Sequence, residues 1–238
     1  MLPQIAPRTD TDLRRQELAD RGWTQLPGFL DKGAAEALHS TLARVVDWRF
    51  VLNHQGRHHD VHPLQVAAID AAARDAIVSG IAAGAQCGFQ YAYDNYPIGD
   101  IVAGSGELPP LIAGVHDLIA GGPFARFLRE LTGDARIASA DLQATRYRPG
   151  HFLTTHDDQA DGKHRLYAYV LGLTKNWRPE FGGLLLLHDA AGNIERGLTP
   201  GFNVLNIFRV PHPHSVSQVA SFSPGFRYSF TGWLKSGA

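Results

Sequence analysis

The run from Tyr147 to Asp158 holds the residues best suited to chemistry, and two later residues, His214 and Arg227, complete them. His156 and Asp158 flank one residue. On an extended strand such a pair shares a face, so both side chains can reach one ion while Asp157 points away. A third ligand must come from a distant segment. His214 heads an apolar alternation (Val216, Val219) and follows the turn around Pro211 and Pro213, which makes it the first choice; His212 competes with it. Two imidazoles and one carboxylate, with the remaining positions open, suit an Fe(II) ion that must also accept reactants.

Arg227 opens an apolar strand-like segment, and Ser229 follows on the same face. A guanidinium is a planar fork matched to a carboxylate, and a neighbouring hydroxyl can add a hydrogen bond. A metal with open positions beside a carboxylate receptor suits an acidic co-substrate that also chelates the metal.

With Tyr147, Gly150, His156-Asp157-Asp158, the segment Asn176 to Gly183, His214, Arg227, Ser229, Gly232 and Trp233 in this order, the chain resembles the 2-oxoglutarate- and Fe(II)-dependent dioxygenases. The likeness is to their prolyl hydroxylase branch, related to oxygen-sensing and ribosomal prolyl hydroxylases, and covers roughly residues 135–235. It implies that His156, Asp158 and His214 bind Fe(II) and that Arg227 pairs with the distal carboxylate of 2-oxoglutarate. Tyr147 would hydrogen-bond in that pocket, with Ser229 as a helper. O2 is the second co-substrate implied, with room for ascorbate. The implied reaction hydroxylates a C–H bond of a protein prolyl residue or a proline-like small molecule and releases succinate and CO2. The carboxylate at Asp158 disfavours halogenation. Gly172 departs from the pattern: it stands where the resemblance would put a co-substrate-binding tyrosine.

These residues need rigid elements. Past Ala135, segments of strand length alternate or run apolar between Gly, Pro, Asn and Asp: Ile137–Tyr147, His164–Leu173, Gly183–His188, Phe202–Arg209, Ser215–Val219 and Arg227–Leu234. Short strands with frequent turn signals indicate a sandwich or barrel. Upstream, helices are expected at Asp12–Asp20, Lys32–Arg44, 63–86, Pro110–Ile119 and Pro123–Leu131, the last two opened by proline where its missing N–H matters least. The fold expected is α+β: a double-stranded β-helix (jelly roll, cupin-like) over 135–238, with a mainly helical support region, 1–134, of one or two strands. Its helices would pack on the outer face. Phe89, Tyr91 and Tyr93 alternate like a strand, which would line a substrate entrance or form an edge with one wet face.

Composition bounds the rest. Of 238 residues, 44% are hydrophobic and 19% charged, ordinary for a folded domain. Lys plus Arg is 22 against 23 for Asp plus Glu. That balance gives no excess to attract nucleic-acid phosphates. The lone Cys87 forms no disulfide within the chain and reads as a small buried hydrophobe. No signal-like or membrane-spanning run is seen, so a cytoplasmic protein is expected. Twelve histidines make chance metal motifs a concern. His58-His59-Asp60 is read as a polar surface loop, and Trp177 and Trp233 as packing anchors. The competing functions are a zinc hydrolase or isomerase on a cupin-like barrel, using the same three ligands to activate water, and a binding module with a structural metal. Arg227 opposes the hydrolase, which needs no carboxylate receptor.

Overall fold

The computed structural model describes residues 2–44 and 47–237, with only the backbone at Val66. Met1 and Ala238, the outer ends of the two expected regions, and Val45 and Val46 lie outside the described residues. The helices are α1 (Thr11–Arg21), α2 (Lys32–Arg44), α3 (Pro63–Ala68), α4 (Ala71–Cys87), α5 (Ile98–Ala103), α6 (Pro110–Ala120) and α7 (Pro123–Thr132). The strands are β1 (Trp23–Pro27), β2 (Arg49–His54), β3 (Arg57–Val61), β4 (Tyr91–Tyr96), β5 (Ile137–Ala140), β6 (Gln143–Tyr147), β7 (Phe152–His156), β8 (Arg165–Leu173), β9 (Leu185–His188), β10 (Ile194–Leu198), β11 (Phe202–Arg209), β12 (His214–Val216) and β13 (Arg227–Ser236).

Among the described residues thirteen strands join one antiparallel sheet, whose main path is β1-β11-β8-β13-β6-β4-β7-β12-β9-β10. The sheet curls until its two halves face each other. Trp23, Ala168 and Phe208 of one half meet Leu185, Leu187 and Leu198 of the other in a common apolar cluster. This is the expected jelly-roll core.

Strand periodicity sorts the side chains. On β8, Tyr167, Tyr169, Leu171 and Leu173 point outward to the main core, while Ala168 and Val170 face inward. On β13, Tyr228, Phe230 and Leu234 point outward. Alternation therefore turns Arg227, Ser229, Thr231 and Trp233 inward. The outward face is covered by helices: Leu38 and Leu42 of α2, Ile112 and Val115 of α6, and Phe124, Leu128 and Leu131 of α7 pack on it. Each such side chain contributes on the order of 1.5–3 kcal/mol by leaving water. α7 shows why these segments are helical: Phe124, Ala125, Leu128 and Leu131 recur at helical spacing and are all buried. Among the described residues no single helix is long and apolar enough to cross a membrane.

The N-terminal region contributes more strand than its sequence suggests. β1, β2, β3 and β4 all come from it, where one or two strands were expected. The helix expected over 63–86 is two, α3 and α4, because Asp70 breaks the run. Its carboxylate accepts from Ala73 N at 2.7 Å, so Asp70 caps a new helix. Cys87 ends α4 exposed rather than buried, because the strongly buried residue of that helix is Ile81. His58-His59-Asp60 is not a loop but β3, hairpin-paired with β2.

Candidate metal and carboxylate site

Register puts the three metal-ligand candidates together. His214 on β12 pairs directly with His156 at the end of β7, and the ring centroids are 4.1 Å apart. His156 Nε2 lies 3.5 Å from Asp158 Oδ1, and His214 Nε2 lies 3.4 Å from Asp158 Oδ2. The donor atoms of all three lie within 4.8 Å of one another. Strand alternation is not what delivers Asp158. β7 stops at His156, and Asp158 sits beyond it in the left-handed region, φ 63°. Asp157 is not part of the cluster and accepts from Gln159 N at 3.0 Å.

The imidazoles are set up as ligands. His156 Nδ1 meets Thr154 O at 3.0 Å and His214 Nδ1 meets His212 O at 2.8 Å. Each carbonyl requires a proton on Nδ1, which leaves the Nε2 lone pair toward Asp158. Burial pushes His214 down to about 4, so it is neutral, as a ligand must be. The donor set, tautomers and charge fit Fe(II). His212 points elsewhere, its ring edge-on to Phe208 at 6.2 Å, and does not join the cluster.

The cluster opens into a cavity of about 600 Å³ whose lining includes Tyr147 and Arg227 as well as His156, Asp158 and His214. Arg227 is 4% exposed, and its Nη1 has no hydrogen-bond partner. No acid pairs with it among the described residues. Its neighbour is the Tyr147 ring, 4.9 Å from the guanidinium carbon. Burial pulls the Arg227 pKa below its ordinary value, yet a guanidinium stays charged in proteins. A buried, unpaired cation is costly unless a ligand anion completes it. Tyr147, opposite Arg227 in register, stacks on Tyr93 at 5.2 Å, and burial pushes its hydroxyl up to about 12. Ser229 is fully buried and bonds Thr145 Oγ1 at 2.8 Å.

The turn Trp177 to Gly183 supports this end of the cavity. Trp177 Nε1 donates to Gly182 O at 2.9 Å, and the Cβ position of Gly183 lies 3.4 Å from Arg227 Cδ. Trp177 is the packing anchor expected. Trp233 is more than that: it lines the cavity, with the Arg165 guanidinium stacked 3.5 Å from its ring centroid. Arg165 Nη1 also donates to Asp158 O at 3.0 Å. Phe89, Tyr91 and Tyr93 also line the cavity, in one aromatic row, and His58 joins Tyr91 OH at 2.7 Å. Arg165 carried no motif, and His58 looked like loop. Only strand pairing reveals either.

Residues 142–235 match the family model of the 2OG-Fe(II) oxygenase superfamily. That segment carries His156, Asp158, His214 and Arg227 and is similar to a superfamily that uses Fe(II), 2-oxoglutarate and O2. Over 118 residues this chain is 30% identical to prolyl 3-hydroxylase OGFOD1 of Mus musculus, a match covering 47% of this chain and 21% of that protein. The chain thus spans about a fifth of the length of that relative. Among solved structures it resembles a Pseudomonas putida prolyl-4-hydroxylase with a TM-score of 0.61 and 19% identity, covering 96% of this chain and 100% of the other. It also resembles a Trichoplax adhaerens prolyl hydroxylase in complex with a hypoxia inducible factor peptide fragment, TM-score 0.61 and 16% identity over 95% and 89% of the two chains. The solved structures bear out the double-stranded β-helix fold.

Proposed function

We propose that this protein is a 2-oxoglutarate- and Fe(II)-dependent dioxygenase that hydroxylates a C–H bond of a prolyl residue in a protein. The observation that carries this reading is the buried, unpartnered Arg227 in the same cavity as the His156–Asp158–His214 cluster. Fe(II) bound by those three residues would supply oxidation of 2-oxoglutarate by O2 to succinate and CO2, with the second oxygen atom entering the substrate C–H bond.

The chain's own residues do the rest. Arg227 anchors the distal carboxylate, which fixes where the 2-oxo end lies. Tyr147 covers the Arg227 fork and keeps water from it. The carbonyls of Thr154 and His212 hold both imidazoles in the tautomer that presents Nε2. Phe89, Tyr91 and Tyr93, together with the Arg165–Trp233 stack, give the cavity an aromatic lining suited to a small apolar ring. The prolyl hydroxylases among the similar proteins favour a prolyl ring in that cavity. A zinc hydrolase using the same ligands has no use for Arg227 and is the weaker reading.

Incubation with Fe(II), 2-oxoglutarate, O2 and a panel of proline-containing peptides tests the proposal. Succinate release together with a peptide heavier by one oxygen atom is expected, both lost in His156→Ala. Wild-type protein that never consumes 2-oxoglutarate, with or without peptide, would sink it.

A further inference from the structure

We propose that Thr145, held by Ser229, is a second donor to the distal carboxylate of 2-oxoglutarate and makes the site selective for a 2-oxo acid that carries one. The inference rests on the function proposed above. It starts from Gly172. On the inner face Gly172, Ser229 and Thr145 stand in one row across β8, β13 and β6, each opposite the next. A Cβ on Gly172 would lie 2.6 Å from Gly201 O, a carbonyl fixed by accepting from Thr174 N at 3.1 Å. No side chain can therefore reach the site from that position. A hydroxyl beside Arg227 has to come from another strand.

Hydrogen-bond accounting supplies it from β6. Ser229 is 0% exposed and does not line the cavity. Its one hydroxyl partner among the described residues is Thr145 Oγ1. A hydroxyl carries one proton and can accept two. Ser229 must place its proton on Thr145, or bury it unsatisfied at a free-energy cost. Thr145 then has its own proton to give, and Thr145 does line the cavity. Arg227 faces Tyr147 and Ser229 faces Thr145 in register, so Arg227 and Thr145 are diagonal neighbours on one face. Diagonal cross-strand neighbours are roughly 7–8 Å apart at the backbone. A carboxylate can bridge that gap, one oxygen on the guanidinium and the other on the Thr145 hydroxyl. Ser229 is a positioning residue in this arrangement; it touches Thr145, not the co-substrate.

The experiment is an anaerobic titration of the Fe(II)-loaded 238-residue chain, following the visible charge-transfer band of the bound 2-oxo acid. Two ligands are compared: 2-oxoglutarate, and 2-oxobutyrate, which lacks the distal carboxylate. A hydrogen bond to a charged group corresponds to roughly a 10- to 100-fold change in affinity. Thr145→Val is expected to weaken 2-oxoglutarate by that factor and leave 2-oxobutyrate unchanged. Thr145→Ser should stay within about threefold of wild type for both, since it keeps the donor. If the valine variant does not fold, Thr145→Cys, a weak donor, replaces it and must lose about tenfold for 2-oxoglutarate alone. Equal 2-oxoglutarate affinity in Thr145→Val and wild type, or equal loss for both ligands, overturns the assignment of Thr145 alone. A wild-type protein that shows no 2-oxoglutarate band overturns the proposed function, and this inference with it.

Discussion

Arg227 is a cation inside the barrel with no partner among the described residues, and that arrangement sets two properties against each other. Removing an unpaired buried charge relieves the protein of its desolvation, while the co-substrate loses its anchor. Arg227→Met, of similar length and apolar, is therefore expected to melt higher than wild type in the absence of 2-oxoglutarate, by several degrees, and to bind 2-oxoglutarate at least about a hundredfold more weakly. Thermal melts of the metal-free proteins and the charge-transfer titration check the two halves. A variant that melts lower would show that Arg227 is satisfied in the free protein. Arg227 was legible in the sequence because its residue type and its place at a strand start are both local properties. Thr145 was not, because its importance comes from being opposite Ser229, and strand register is not written in either strand alone. Asp158 was found for an incomplete reason: its spacing from His156 is right, but a left-handed residue past the strand, rather than alternation, aims it.

At the scale of elements, the turn between β8 and β9 contains two adjacent glycines with different duties. Gly182 has φ 69°, and a Cβ there would meet Gln218 O at 2.0 Å. Gly183 has φ 63°, with Val219 Cγ2 at 3.1 Å and Arg227 Cδ at 3.4 Å from its Cβ position. Gly182→Ala collides with backbone that cannot give way, so it should cost about 3 kcal/mol or more and lower Tm by roughly 6–12 °C. Gly183→Ala strains the backbone less, by about 1–2 kcal/mol, but presses on the stem of Arg227 and should weaken 2-oxoglutarate several-fold. Melts and titrations of both variants separate the duties; equal stability loss with equal binding loss would deny the distinction. The helices show where sequence reading of elements fails. An alanine-rich run over 63–86 hides a break, since Asp70 looks like a surface residue until its carboxylate is seen capping Ala73. Asp70→Ala should remove that cap and destabilise the protein by about 1 kcal/mol, readable as a fall in Tm. The strand β3 was missed because His58, His59 and Asp60 make a polar edge strand without the apolar alternation that marks a strand.

For the molecule as a whole, the acid limit of stability is set by charge that folding shuts away. His151 follows the turn at Gly150, is 7% exposed, stacks against Phe50 at 5.5 Å, and has no partner for Nδ1. Burial pushes its pKa down to about 4; the Asp94 charge and the Arg146 backbone work against that shift, and the Arg148 guanidinium reinforces it. The unfolded chain binds a proton at this histidine near pH 6.5 and the folded protein does not, so the unfolded state takes up more protons between those values. The stabilising contribution is thus complete above about pH 6.5 and is lost as the pH falls toward 4. Its full size is roughly 3 kcal/mol at about 1.4 kcal/mol per pH unit. Those losses precede the carboxylates held below their ordinary range, such as Asp10 and Asp134, which release their contributions only at lower pH. His151→Phe keeps a ring against Phe50 and deletes the titration. Urea melts of wild type and His151→Phe across pH 7 to 4 should diverge steadily, with the variant gaining up to about 3 kcal/mol relative to wild type at the acid end. Other histidines titrate alike in both proteins and cancel in the difference. Parallel curves would mean that His151 takes its proton in the folded state as readily as in the unfolded one, and that its pocket admits water.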